Sequence, residues 1–204
     1  VEGYLNILES RLEGDELHMI SRSQLRLKGM RQLVMDLLDL TRIESGEKKR
    51  EIVELDVVQV IENAIECQEH VAQERGITIS FEGPKELLFV GDPYEFEVIA
   101  NNLVSNAVKY NRDNGNVAIK TELVDGKLTW QVSDTGIGMT PEEKQKIFDE
   151  FVRIKNDDTR MVSGSGLGLS TLRKLVDLYQ GEINVTSERG VGTTFDLVLK
   201  QAGN

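Results

Sequence analysis

The segment from Leu17 to Glu44 contains no proline and a single glycine, Gly29. Side chains of one stripe recur every seventh residue along it, at Ile20, Leu27, Val34 and Thr41. Further apolar residues widen this stripe, at Met30, Leu33, Leu37, Leu38 and Leu40. An unbroken pattern of this length predicts a long amphipathic helix, which must cover its apolar stripe with another helix in a bundle or coiled coil.

A shorter helical pattern precedes the long one, with apolar side chains at Tyr4, Leu5, Leu8 and Leu12. It ends at Gly14-Asp15, a pair typical of turns, so residues 1–45 are predicted to form a helical hairpin. At about 1.5 Å per residue, the first arm reaches about 20 Å and the second about 40 Å. We therefore expect the rest of the first arm to lie upstream of Val1.

A charged stretch, residues 47–51, then breaks the helical periodicity, and residues 46–55 are interpreted as a linker. Residues 56–204 form the second predicted domain. Its predicted helices begin at Asp56, Asp92, Thr140 and Leu167, and end near Arg75, Tyr110, Phe148 and Tyr179. Its predicted strands lie at 77–81, 117–121, 127–133, 183–185 and 193–199, with a hairpin turn at Asp125-Gly126. This order predicts an α+β fold, in which a mixed, mostly antiparallel sheet carries helices on one face as an α/β sandwich.

Composition excludes several classes of function. The chain has 35 acidic and 24 basic residues, for a net charge of -11, so it lacks the basic face that nucleic acid requires. The single cysteine, Cys67, has no partner for a disulfide and is interpreted as an inert thiol in a reducing, cytoplasmic compartment. No apolar run approaches the roughly 18 residues of a membrane span, so we expect any membrane anchor outside this chain.

Two asparagines, Asn102 and Asn106, lie on the predicted helix that begins at Asp92; they are spaced i and i+4 and project from one face. Amide oxygens can hold Mg²⁺ beside phosphates, and Lys109 on nearly the same face can meet their negative charge. A merely polar helix face explains this segment about equally well.

The segment from Asp134 to Met139 follows a predicted strand and contains Gly136 and Gly138. An aspartate there can accept a hydrogen bond from an exocyclic amine, while the glycines let the backbone approach a flat ring. The alternative interpretation is an ordinary glycine turn.

The segment from Gly164 to Ser170 leads into a predicted helix whose free N–H groups suit phosphate. It is neither a Rossmann fingerprint, because Leu169 occupies the third glycine position, nor a Walker loop, because it lacks Gly-Lys-Ser/Thr. A fourth segment, 192–195, opens the last strand and is by itself a turn followed by β-branched residues.

These four segments, in this order and with 147–151 between the second and third, resemble the ATP-binding domain of sensor histidine kinases. That domain belongs to the superfamily shared with gyrase, Hsp90 and MutL, and the resemblance runs from about Asp56 to Leu199. It implies that Asp134 reads the adenine amine with support from Thr193, and that Gly136 and Gly138 lie beside the base.

At the phosphate end, the resemblance implies that Asn106 binds Mg²⁺ and that Asn102 and Lys109 lie near the phosphates of ATP. Phe148 and Phe151 would hold the start of a nucleotide lid that runs to Ser163, and glycines would let it fold over the phosphates, at Gly164, Gly166 and Gly168. The predicted nucleotide site also includes Tyr110, Ile137, Leu167 and Leu169. Three lid cations either touch phosphate or remain solvated, namely Arg153, Lys155 and Arg160.

The hairpin adds to the resemblance, since 37–46 looks like the end of the second dimerisation helix of these kinases. The phosphoacceptor histidine is then expected about three helical turns before Gly3, outside this sequence. Neither His18 nor His70 has the adjacent acid and downstream proline of the family's histidine motif. This chain is therefore not expected to phosphorylate itself. We expect a homodimer through the hairpin, weakened by the short first arm, and a response regulator receiver domain as partner.

One departure distinguishes the ATP-hydrolysing relatives. They place a glutamate one turn before the first asparagine, and here Val98 stands four before Asn102, with Glu97 adjacent. This favours a kinase over a gyrase-like or Hsp90-like machine. Two alternatives stay open at this point. One is a nucleotide-binding regulatory module, either a degenerate kinase or a phosphatase-type regulator; the other is a serine kinase of the anti-sigma type.

Overall fold

The structure is a computed structural model that describes residues 14–45, 50–154, 159, 162 and 164–201. The predicted first arm of the hairpin, residues 1–13, lies outside the described residues, as do Lys155, Arg160 and Ser163. Nothing in the described residues therefore tests the predicted hairpin turn. Among the described residues, no helix is both long and apolar enough to cross a membrane.

The predicted long helix is confirmed as α1, Gly14–Ser45. Most of its apolar stripe is exposed, with Met30 64% and Val34 56% accessible. Leu40 is the exception, because it is only 4% exposed against the second domain. A helix with an open apolar face needs a further partner for that face.

Side chains from the last turns of α1 contact the second domain. The Tyr94 hydroxyl donates a hydrogen bond to the Asp39 carboxylate, and Arg42 Nη1 donates to the same Tyr94 oxygen over 3.3 Å. One turn earlier, Asp36 accepts a hydrogen bond from the hydroxyl of Ser165. The long helix therefore lies against the glycine-rich segment at 164–170.

The second domain opens with a two-stranded antiparallel sheet of β1, Val53–Asp56, and β3, Leu88–Gly91. Three residues of the predicted linker, 53–55, are thus in a strand. Asp56 caps α2, Val57–Glu74, as predicted, and the helix ends at Arg75. The same Asp56 carboxylate also accepts from Leu87 N at 3.0 Å, which joins the start of α2 to the chain entering β3.

The main sheet has five strands in the order β2-β4-β5-β7-β6. Their bounds are Thr78–Glu82, Asn116–Val124, Lys127–Asp134, Glu182–Glu188 and Gly192–Lys200 for β2, β4, β5, β6 and β7. Only β2 and β4 pair in parallel, so the prediction of a mixed, mostly antiparallel sheet is confirmed. The predicted hairpin turn is also confirmed, since Asp125 and Gly126 both have positive φ, 51° and 72°.

Helices cover one face of this sheet, and alternate strand residues point towards them. On β5 the buried residues are Leu128, Trp130 and Val132. Packed above them are α2, α3, Pro93–Lys109, and α5, Gly168–Leu178. The opposite face carries polar cross-strand pairs such as Ser133 with Thr194, whose hydroxyls are 2.8 Å apart. The predicted α/β sandwich is therefore confirmed.

One predicted helix is shorter than expected. The capping box of Thr140 and Glu143 is present, but α4 spans only Pro141–Lys144 rather than reaching Phe148. Beyond it the chain continues in tighter turns, with Lys146 N donating to Glu143 O and Asp149 N to Lys146 O. These turns bring Ile147 into the core, where it is 6% exposed.

Candidate nucleotide-binding site

A cleft lies between α3, the loop after β5 and the start of the predicted lid. Seven predicted site residues line it, namely Asn106, Tyr110, Asp134, Ile137, Gly138, Leu169 and Thr193. The other lining residues are Met139, Ile147, Val152, Arg153, Ile154, Thr159 and Phe195. The sequence did not point to them as nucleotide-binding residues, apart from Arg153, which was a candidate lid cation. Most of them are apolar, which suits the faces of a flat ring.

Asp134 lies at the end of β5, directly opposite Thr193 of β7 in the strand register. Gly136 N donates to Asp134 Oδ1 over 2.8 Å, and the backbone N–H of Thr193 also donates to this carboxylate. Burial nevertheless raises the pKa of Asp134 to about 6, although both backbone hydrogen bonds act in the opposite direction. When ionised, this poorly solvated carboxylate can accept a further hydrogen bond from a ligand.

Two glycines after Asp134 are required by close backbone contacts. A Cβ at Gly136 would collide with the carbonyl oxygen of Tyr110, and one at Gly138 would collide with that of Glu188. Gly138 also has φ of 59°, which side chains disfavour. Ile137 N donates to Tyr110 O over 3.1 Å, which ties this loop to the end of α3.

On α3, the side chain of Asn106 lines the cleft, whereas Asn102 lies one turn earlier. Asn102 Nδ2 donates to Val98 O over 2.8 Å, and its Oδ1 faces Gly168, where a Cβ would collide with it. Asn102 therefore contacts the start of α5, while Asn106 is the asparagine available to a ligand in the cleft.

Lys109 lies beside the glycine-rich segment, where a Cβ at Gly164 would be 2.6 Å from its Nζ. Burial, followed by the positive charge of Arg153, lowers the pKa of Lys109 to about 8, while Asp36 of α1 acts in the opposite direction. A desolvated lysine held against another cation is a favourable place for anionic phosphates.

The glycine-rich segment passes between the lid and α5. Gly166 has φ of 81°, and a Cβ there would be 2.8 Å from the carbonyl carbon of Phe151. Leu167 is fully buried and does not line the cleft, in contrast to Leu169 two residues later. Leu167 contributes to the hydrophobic interior, and no side chain caps the N–H groups at the start of α5.

Phe148 and Phe151 flank the start of the predicted lid but do not line the cleft. Arg173 of α5 lies over the Phe148 ring at 5.4 Å, and Lys174 Nζ donates to Glu150 over 2.6 Å. Phe151 is 58% exposed and has φ of 61°, which is unusual for an aromatic residue. The two cations of α5 therefore fix the point from which the lid departs.

Both ends of α3 are anchored by arginines. At its start, Arg50 binds Glu95 through two hydrogen bonds of 2.8 and 2.6 Å, and the Tyr179 hydroxyl donates to the same carboxylate over 2.6 Å. At its end, Arg75 donates to Val108 O and Asn111 O over 2.8 and 2.6 Å. These contacts hold the helix that carries Asn106 and Lys109.

The residues of the cleft fit a magnesium nucleotide. A desolvated carboxylate suits an adenine amine, glycines leave room for a ring, and the Asn106 amide oxygen is a donor that Mg²⁺ accepts. Within the described residues, no group of three or more His, Cys, Asp and Glu side chains could bind a metal alone. A metal here would need the phosphates of the nucleotide as further ligands.

Comparison with known proteins identifies the family of the chain. The sequence profile described as histidine kinase-, DNA gyrase B-, and HSP90-like ATPase matches residues 91–203. The chain belongs to this family and has the fold of the catalytic, ATP-binding domain of sensor histidine kinases.

Three relatives illustrate the similarity. The sensor-like histidine kinase SenX3 of Mycobacterium tuberculosis is 30% identical over 167 residues, 82% of this chain and 41% of that protein. The sensor protein CiaH of Streptococcus pneumoniae is 32% identical over 205 aligned positions, 96% of this chain and 46% of that protein. The crystal structure of full-length ShkA in complex with AMPPNP aligns with a TM-score of 0.77 at 25% identity, covering 99% of this chain and 42% of ShkA. The chain thus spans less than half of each relative.

Proposed function

We propose that this chain is the catalytic region of a sensor histidine kinase, which transfers the γ-phosphoryl group of Mg·ATP to a histidine outside the chain. An aspartate on the receiver domain of a response regulator then takes the phosphoryl group. The observation that carries the proposal is that one cleft holds a half-buried carboxylate, Asp134, and a potential metal ligand, Asn106. A bound nucleotide needs a group that recognises its base and a group that holds its metal ion, and the two must be no further apart than the nucleotide is long.

At the base, the Asp134 carboxylate accepts a hydrogen bond from the exocyclic amine of adenine. Guanine presents a carbonyl oxygen at that position, which would face the carboxylate without a proton between them. An unmade hydrogen bond to a buried charged group costs about 1.5 to 3 kcal/mol, enough to select adenine. The apolar side chains of Ile137, Met139 and Phe195 line the same cleft and contact the ring.

At the phosphates, Asn106 would hold Mg²⁺ through its amide oxygen, and Lys109 would neutralise charge directly. The metal supplies neutralisation of the charge on the transferring group. The free N–H groups at the start of α5 and the glycines of 164–168 allow the backbone to approach the phosphates. The domain therefore contributes positioning rather than covalent chemistry.

In the transfer itself, an imidazole nitrogen forms a bond to the γ-phosphorus while the bond from that phosphorus to the bridging oxygen breaks. ADP leaves with the electron pair. Water competes poorly because the residue one turn before Asn102 is Val98, whose side chain cannot act as a base, and the adjacent Glu97 is exposed. Slow hydrolysis preserves ATP until the histidine arrives.

The proposal extends to the surroundings of the domain. The exposed apolar stripe of α1 pairs with the first arm of the hairpin and with a second copy to make a homodimer. The same hairpin docks the receiver domain, and the domain works in the cytoplasm. His70 is exposed on α2, with Nδ1 3.6 Å from Glu74, and has no part in the transfer.

Calorimetric titration of the chain with Mg·ADP and Mg·AMPPNP tests nucleotide binding, and an absence of heat at millimolar ligand contradicts the proposal. Asn106→Ala should remove the Mg²⁺ dependence of binding, since alanine cannot bind the ion. Transfer is tested by incubating the chain with γ-labelled ATP and a separately supplied hairpin that contains the histidine. Acid-labile label on the hairpin is expected; acid-stable label on this chain alone would indicate a serine kinase.

A further inference from the structure

The turn between β6 and β7 packs beneath the loop that follows Asp134. Gly190 N donates to Ile137 O over 2.8 Å, and the carbonyl of Glu188 approaches Gly138 so closely that no Cβ could fit. These residues are about fifty positions apart in the chain. The loop at the adenine end of the cleft is therefore shaped by a distant hairpin turn as well as by its own glycines.

Ser187, on β6, makes the central contact between the two segments. Its Oγ accepts a hydrogen bond from Met139 N over 2.9 Å and lies 3.0 Å from Gly192 O. It also lies 2.9 Å from Thr193 Oγ1. A single hydroxyl thus joins the loop, the turn and the strand that faces Asp134.

The single proton of the Ser187 hydroxyl determines whether the Thr193 hydroxyl donates or accepts the hydrogen bond between them. Ser187 has one proton to give, and Gly192 O and Thr193 Oγ1 both lie within reach as acceptors. When the proton goes to Gly192 O, the hydrogen bond between the two hydroxyls has Thr193 Oγ1 as its donor. When it goes to Thr193, that hydroxyl is free to donate. In both cases Thr193 is held from two sides, since its backbone N–H binds Asp134.

We propose that Ser187 is a positioning residue for adenine recognition, acting through Thr193 and Met139; this rests on the proposed nucleotide site. Both of those residues line the cleft, whereas Ser187 itself does not. Loss of its hydroxyl frees the Thr193 side chain and leaves Met139 N without its partner. The base end of the cleft then loses its fixed pattern of donors and acceptors, while the phosphate end is unchanged.

The chain offers a matched control. Ser133 and Thr194 form the same kind of hydroxyl pair, at 2.8 Å, on the opposite face of the sheet. Neither lines the cleft. Ser133→Ala therefore removes an equivalent cross-strand hydrogen bond from the same part of the sheet without touching the nucleotide site.

The test measures the dissociation constants of Mg·ADP and of Mg·tripolyphosphate for the parent chain, Ser187→Ala, Ser187→Thr and Ser133→Ala. We expect Ser187→Ala to weaken ADP binding about tenfold, as for one hydrogen bond, and to leave tripolyphosphate within about twofold. Ser187→Thr, which keeps the hydroxyl, should restore most of the loss, and Ser133→Ala should resemble the parent. A nitrogen–proton NMR spectrum should show the Met139 amide shifted in Ser187→Ala.

Three outcomes would overturn the inference. Unchanged ADP binding by Ser187→Ala would do so, as would an equal loss for ADP and tripolyphosphate, which indicates general loosening of the fold. An equal effect of Ser133→Ala would also do so, because it would make the loss a property of any hydroxyl pair. If the parent chain binds tripolyphosphate and not ADP, the proposed function fails as well, which separates the two failures.

Discussion

Asp134 combines a half-buried position with two backbone donors, and desolvation prevails, so the pKa of its carboxyl is raised to about 6 from an ordinary 3.8. Since the adenine amine needs an acceptor, ADP should bind the ionised form. Affinity should therefore fall as the pH drops below about 6. Calorimetry from pH 5 to 8 checks this, and Asp134→Asn should bind more weakly and without that pH dependence.

The same carboxyl affects stability with a defined sign. A folded-state pKa above the unfolded value gives a contribution that is complete below pH 3.8 and is lost as the pH rises through 6. The ligand-free chain should thus lose this contribution across that window, and Asp134→Asn should not. Denaturant unfolding at several pH values compares the two, and parallel curves for both chains would contradict the raised pKa.

Lys109 gives a second prediction at the residue level. Its pKa is lowered to about 8 by burial and by Arg153, so near pH 8 about half of the molecules hold it neutral. Phosphates should restore the charge, and nucleotide binding at pH 8 should take up about half a proton. Calorimetry in two buffers with different heats of ionisation measures this uptake. Lys109→Met should abolish it, whereas the exposed Lys120→Met should not.

Among the elements, those specified by neighbouring residues were predictable. The caps Asp56 and Asp92 and the turn at Asp125-Gly126 are encoded within a few positions, and each lies where the sequence predicts. The strands β1 and β3 were not predicted, because each has four residues and exists only through pairing with the other. The early end of α4 likewise depends on burial of Ile147, which local sequence does not reveal.

The residues of the candidate site also fall into those that local sequence indicates and those that depend on tertiary contacts. Asp134 and Asn106 were predicted from local signals, the glycines and the asparagine spacing, and Thr193 from the resemblance; all three line the cleft. Leu167 was also predicted for the nucleotide site; it is fully buried and does not line the cleft, whereas Leu169 does, and the local pattern does not tell which leucine turns inward. Ser187 was missed because its contacts with Met139 and Thr193 require the β6–β7 turn to fold beneath the loop.

The start of α3 and the end of α5 are joined by Glu95, which binds both Arg50 and Tyr179. Glu95→Gln removes the charge from a buried carboxylate that receives charge-assisted hydrogen bonds. Because Arg50 is partly exposed, we expect a loss of about 1 to 2 kcal/mol in the free energy of unfolding. Urea titration measures it. Lys120→Gln, which breaks an exposed ion pair of 2.6 Å with Glu82, should cost less than about 0.5 kcal/mol.

At the scale of the whole molecule, α1 lies against the glycine-rich segment at 164–170, which we propose binds the phosphates. Asp36 accepts a hydrogen bond from Ser165, and its negative charge opposes part of the lowering of the Lys109 pKa. Ser165 and Lys109 both belong to the region proposed for phosphate binding. Incoming phosphates would compete with this carboxylate for the same cation. Asp36→Asn should therefore tighten Mg·ADP binding, by roughly two- to tenfold. Glu16→Gln, an exposed acid on the same helix, is the control, and equal effects of the two changes would indicate a general effect of net charge.

Such competition has a reciprocal side. If nucleotide loosens the hold of α1 on the domain by some factor, then any movement that draws α1 away must tighten nucleotide binding by that same factor, since both are legs of one thermodynamic cycle. The C-terminal part of α1 contacts the second domain through Asp36, Asp39 and Arg42, so a movement of α1 is coupled to nucleotide binding. A rotation of α1 imposed at its N-terminal end would therefore change the fraction of molecules that hold ATP.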